Sequence, residues 1–81
     1  MTPLEAKTTI QQAIRRIAPD ADVDRLGDDD DFREEFELDS IDFLGLIESL
    51  STRTGCRIDE ADYQELRTMR GAVDLLVQRS G

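Results

Sequence analysis

The stretch Leu38-Asp39-Ser40-Ile41-Asp42-Phe43-Leu44, at the middle of the chain, constrains the fold more than any other segment. Asp39 suits a helix N-cap, which makes Ser40 the first helical residue. Asp42 is then the N3 acid that reaches back toward the cap, and Leu38 and Phe43 are spaced as the two halves of a hydrophobic staple. At 100° per residue with Ile41 at zero, Phe43, Leu46, Ile47 and Leu50 fall between about 140° and 240° and form one core stripe. Ile41, Leu44, Gly45, Glu48 and Thr52 fall on the other side, so two large aliphatic residues lie off the core beside Ser40. The serine hydroxyl points outward at the positive end of the helix dipole, a position that favours an oxygen meeting phosphate. Thr54-Gly55 ends this helix, with Gly55 in the left-handed region.

A rigid helix with a buried stripe needs partners, and the flanking segments supply them. Thr2 as N-cap, Pro3 at N1 and Glu5 at N3 open a first helix that runs to Ile17 or Ala18, with Leu4, Ile10, Ala13, Ile14 and Ile17 as its inward stripe. Pro19 ends it. From Asp20 to Glu37 runs a long acidic connection, with Asp28 to Asp31 in succession and Val23, Leu26, Phe32 and Phe36 as apolar anchors. Phe32 and Phe36 are spaced for one helical turn that tucks both rings down. Cys56 has two readings, a small buried filler, which is favoured, and a half-exposed thiol. Asp59 caps a short third helix, Glu60 to Leu66, with Ala61, Tyr63 and Leu66 turned inward. Thr68 caps a last helix from Met69 to Gln78 whose inward face is Met69, Ala72, Val73 and Leu76, with Val77 at its margin. The expected fold is a single all-α domain over residues 1–81: a four-helix bundle of three longer helices and one short, with a long first loop.

Composition narrows the function. Nineteen acidic against ten basic residues leave a net charge of −9, which argues against nucleic acid and anionic membrane as partners and favours basic protein surfaces. Such a chain repels itself, so modest stability that rises with salt is expected. Histidine is absent and cysteine occurs once, which removes the usual base of a nucleophilic triad, the usual zinc ligand and any intrachain disulfide. Without a leader-like start or a long apolar run, the reading is a cytoplasmic monomer with no membrane insertion. Asp20-x-Asp22-x-Asp24, with Asp31 at the twelfth position, has the alternating oxygens of a calcium loop. Arg25 stands where glycine makes the sharp turn and Asp31 is too short to replace the bidentate glutamate, so no specific metal site is expected.

Asp39-Ser40-Ile41-Asp42-Phe43-Leu44 resembles the phosphopantetheine attachment motif of acyl carrier proteins. Thr68-Met69-Arg70-Gly71-Ala72-Val73 resembles the run that opens their last helix, and the resemblance covers nearly the whole chain. It implies that a phosphopantetheinyl transferase loads Ser40 with 4′-phosphopantetheine from coenzyme A, and that the chain itself has no catalytic residue. It further implies docking by acyltransferases, ketosynthases or acyl-ligases whose basic patches meet Asp39, Asp42 and Glu48 and whose apolar centres meet Ile41 and Leu44. Fatty acid, polyketide and specialised lipid synthesis are all open. An aminoacyl or peptidyl carrier and a helical interaction module without prosthetic group are the alternatives. Phe43, Leu46, Ile47, Leu50, Tyr63, Leu66 and Val73 are the residues that would shelter a bound acyl chain. The chain departs from the family in carrying Gly45, Ser51 and Thr52 where acids are usual along the serine helix, and Glu37 where a glycine often stands.

Overall fold

Thr2 caps the first helix as its sequence requires: its hydroxyl accepts from the Glu5 N–H at 3.1 Å and the Glu5 carboxylate accepts from the Thr2 N–H at 3.0 Å. The computed structural model describes residues 1–80. It holds α1 (Pro3–Ile17), α2 (Phe32–Glu35), α3 (Ser40–Thr54) and α4 (Met69–Ser80), with 3-10 turns at Val23–Arg25, Glu60–Asp62 and Glu65–Arg67. The long helices α3 and α4 both pack on α1. This is the all-α bundle expected, with one redistribution: the four-residue α-helix lies at Phe32–Glu35, and Glu60 to Leu66 is two 3-10 turns rather than a third helix.

The reason lies in what closes that segment. Here the Asp62 and Tyr63 N–H groups donate three residues back, to the carbonyls of Asp59 and Glu60. The Asp62 carboxylate accepts from the Asp59 N–H at 3.0 Å and from Arg79 Nη2, near the end of α4, at 2.8 Å. Arg79 thus ties the tight turn to the last helix. Ala61, expected inward, is exposed, whereas Leu66 is buried and Tyr63 half-buried.

Two further positions correct the expected core. Leu4 is 74% exposed and Ala6 is fully buried in its place. Taking Ile10 as zero, Leu4 falls about 120° off the stripe and Ala6 about 40°. In α4 the buried face is Met69, Ala72, Leu75 and Leu76, with Val73 and Val77 half-buried at one edge. The remaining anchors lie inside: Ile10, Ala13, Ile14, Val23, Phe32, Phe43, Leu46, Ile47, Leu50 and Cys56 are buried, while Ile17, Leu26 and Phe36 pack against them half-exposed. Gly55 closes α3 at φ 71°.

The acidic run Asp28 to Asp31 is used residue by residue. The Asp28 carbonyl accepts from the Arg70 N–H at 2.9 Å, and the Asp29 carboxylate from Arg70 Nε at 2.8 Å. Asp30 accepts from the Gly27 N–H at 2.8 Å. Asp31 caps α2 by accepting from the Arg33 and Glu34 N–H groups and pairs with Arg67 Nη2 at 2.6 Å. Together with a bridge between Asp31 and Thr68, these contacts latch the loop onto the start of α4. Gly71 belongs to the same latch. A Cβ there would collide with the Glu65 carbonyl, so the 3-10 turn can approach α4 this closely only over glycine. Gly45, by contrast, has room: a Cβ would meet only Ile17 Cγ2 at 3.8 Å.

Candidate functional site

The route into Ser40 is set by how α2 stops. Phe36 is its C-cap, Glu37 takes up φ 53°, and the Leu38 N–H then reaches back to the Arg33 carbonyl at 3.0 Å. That bond is the long closure of a Schellman-type helix end, which favours glycine at the left-handed position. Glu37 occupies it instead and bears the strain that a side chain brings there. The turn delivers Leu38 into the core at 6% exposure and leaves Asp39 extended as the N-cap of α3.

Asp39 accepts from the Asp42 N–H at 2.8 Å. The reciprocal bond, from the Asp39 N–H to the Asp42 carboxylate, is not formed, so the expected box is half made. Leu38 and Phe43 are both buried, as the staple requires. Ser40 is exposed on the first turn of a fifteen-residue helix, its position fixed by the cap below it and the core stripe beyond it. Ile41 is 79% and Leu44 43% exposed. Asp39 and Glu48 are exposed and Asp42 half-exposed around them. The patch and its acidic rim are therefore one continuous surface along the start of α3.

On the other flank of Ser40 lies an open groove of about 510 Å³ lined by Arg33, Ser40, Phe43, Leu44, Glu60, Tyr63, Gln64 and Arg67. Arg33 Nη2 stands 3.5 Å from Ser40 Oγ and its Nε 3.4 Å from the Leu38 carbonyl. Its guanidinium lies 5.6 Å from the centre of the Phe43 ring, and Tyr63 meets that ring edge-on at 6.1 Å. Arg67 carries a buried Nε–H without an acceptor. No sequence signal marks this groove. Arg33 and Arg67 lie outside any motif; the close of α2 sets Arg33 beside the serine, and the 3-10 turns at 60–67 bring Arg67 there. Of the residues expected to shelter an acyl chain, Phe43 and Tyr63 border the groove, whereas Leu46, Leu50 and Leu66 are fully buried.

The aspartates of the calcium-like spacing go separate ways. Asp22 pairs with Arg25 at 3.2 Å, Asp24 with Arg15 at 3.8 Å and Asp31 with Arg67. Among the described residues no group of three or more acids or cysteines is placed to hold a metal ion, and no helix is long and apolar enough to cross a membrane.

A phosphopantetheine arm suits this end of the molecule on structural grounds. An exposed hydroxyl opens onto a groove that offers guanidinium donors, an aromatic wall and room for a polar chain. Known proteins agree. Residues 8–76 match the family model described as a phosphopantetheine attachment site. The acyl carrier protein of Rubrobacter xylanophilus is 36% identical over 76 residues, covering 85% of this chain and 89% of its own. Acyl carrier protein 2 of the polyketide-8 synthase of Streptomyces avermitilis is 32% identical over 62 residues, covering 76% and 71%. The solved acyl carrier protein of Enterococcus faecalis superposes with a TM-score of 0.76 over 98% of this chain and 99% of that one, at 25% identity. With a matching family model, two such relatives and a shared fold over nearly the whole chain, the chain belongs to the phosphopantetheine attachment family, as an acyl carrier whose prosthetic group is 4′-phosphopantetheine.

Proposed function

We propose that Ser40 is the attachment point and that the chain is a non-catalytic, cytoplasmic carrier of acyl thioesters. The observation that carries this reading is the exposed Ser40 hydroxyl on the first turn of a capped helix, beside an open polar groove. When bound, the arm supplies a thiol on a long tether, to which acyl groups are joined as thioesters. The chain's own residues hold the serine still. Asp39 fixes the helix start through the Asp42 N–H, and Leu38 and Phe43 fix the angle at which the chain enters it. No histidine exists to take the serine proton, so the base must come from the phosphopantetheinyl transferase. In loading, Ser40 Oγ bonds to phosphorus of coenzyme A, a pyrophosphate P–O bond breaks, and adenosine 3′,5′-bisphosphate leaves.

Partner enzymes would dock on Ile41 and Leu44, with basic residues facing Asp39, Asp42 and Glu48. Tethering raises the local concentration of cargo to roughly millimolar, so weak and reversible docking suffices. The missing acids at Gly45, Ser51 and Thr52 give this face less charge than a general-purpose carrier would use. The similarity to a polyketide synthase carrier from Streptomyces avermitilis favours the same conclusion: a dedicated acyl or polyketide route with its own partner set.

The test is intact mass after incubation with coenzyme A, magnesium and a broad-range phosphopantetheinyl transferase. The wild type should gain one arm and Ser40→Ala none, with its melting temperature unchanged. A folded wild type that gains nothing, or a variant that gains as much, overturns the assignment.

A further inference from the structure

We infer that Arg33 is the seat for the phosphodiester that joins the arm to Ser40, an inference that rests on Ser40 being the attachment point. The phosphodiester adds a negative charge at a place already flanked by Asp39 and Asp42, in a chain of net charge −9. The helix dipole offsets part of that with roughly half a positive charge, and a full cation within reach offsets the rest. Arg33 supplies it. Its Nη2 is 3.5 Å from Ser40 Oγ, and the phosphorus lies one bond beyond that oxygen.

Arg33 is distinguished by what it does not do at this place. Arg15, Arg25, Arg57, Arg67, Arg70 and Arg79 each pair with an aspartate. The other two arginines without an ion pair among the described residues lie off the groove, Arg53 bonded to Ser49 and Gln12 and Arg16 on α1. Arg67, on the same groove, is taken by Asp31. Among the described residues Arg33 makes no ion pair, although nineteen acids are available in the chain. Neutral groups hold it instead: the Leu38 carbonyl and the face of Phe43, which Tyr63 braces from the side. At 3.5 Å the contact with Ser40 is at the limit of a hydrogen bond, so the hydroxyl does not consume the guanidinium. A planar fork left free beside the serine matches the two non-bridging oxygens of a phosphodiester, which a lysine would meet only as a point charge.

The experiment is a cycle of loading against substitution. Wild type, R33Q, R33K and R57Q are each melted in apo form and after loading, with intact mass confirming one arm on each. R57Q changes net charge equally at the opposite end of α3. Loading should shift the melting temperature of the wild type and of R57Q about 4 °C more favourably than that of R33Q, with R33K between them, and the difference should shrink in high salt. The phosphorus resonance of the loaded protein should also move in R33Q and stay in R57Q. Equal shifts in all four proteins, or a phosphorus resonance indifferent to R33Q, overturn the seat while leaving the attachment at Ser40 standing. A wild type that fails to load overturns both. If R33Q does not fold, the decision passes to R33K and to the Arg33 Nε–Hε resonance of the wild type. That resonance should move and exchange more slowly on loading; one unchanged by loading overturns the seat.

Discussion

Two ends of the same loop treat arginine differently. At the latch, Arg67 and Arg70 are matched with Asp31 and Asp29 and a glycine lets backbone approach backbone, although the Arg67 Nε–H is left without an acceptor. At the serine, Arg33 stands without a carboxylate, Glu37 strains the backbone, and two aliphatic side chains face solvent. The first region is arranged for stability and the second leaves interactions unmade. Both regions are rich in charge, so it is the exposed serine, the strained turn and the cation without a carboxylate, not charge itself, that support the proposed site.

Substitutions should separate the two regions. Gly71→Ala should have the largest effect, a loss of about 3 kcal/mol by urea unfolding, because a Cβ meets the Glu65 backbone, which has nowhere to go. A loss under about 0.5 kcal/mol would show that the latch is loose. Asp31→Ala removes both the cap of α2 and the partner of Arg67 and should lower stability by about 2 kcal/mol. Loading of Ser40 should persist in the part that remains folded. The serine side should respond in the opposite direction: Glu37→Gly relieves a left-handed side chain and should raise stability by about 1 kcal/mol. A decrease on melting would mean that the Glu37 carboxylate contributes more than its backbone costs.

The smallest effect concerns acid. The Asp29 carboxyl is held below its usual range by hydrogen bonding and charge from Arg70, and that of Asp62 by hydrogen bonds from Arg79 and the Asp59 N–H. A carboxyl lowered in the folded state contributes stability above its unfolded pKa of about 4, and that contribution is lost as pH falls through the folded value. Melting temperature should therefore fall on acidification below about pH 4, and Asp29→Asn should flatten the slope. An identical slope in the variant would remove Asp29 from the latch.

How much of this was legible in the sequence depended on range. Thr2, Asp39 and Gly55 could be read as caps because a cap is decided within four residues of itself, and each acts as one. The serine helix stripe was legible for the same reason. Leu4 lies too far round α1 for the inward stripe expected of it, and the α4 face turns toward Leu75, which the expected stripe omits. The segment Glu60 to Leu66 departs from the expected helix because Arg79, distant in sequence, closes it. The latch was illegible because nineteen acids and ten bases allow many pairings, and nothing local says that Asp29 meets Arg70, 41 residues away. Ser40, the proposed attachment point, stands out by its motif. Arg33, the proposed seat, does not, since that proposal depends on a carboxylate it does not meet.

Cys56 is 5% exposed at the close of α3. The chain has no other sulfhydryl, and an accessible thiolate is the nucleophile that would attack an acyl thioester. Burial withdraws the only competing nucleophile of that kind from solvent, so cargo delivered to the arm is not lost to the protein that bears it.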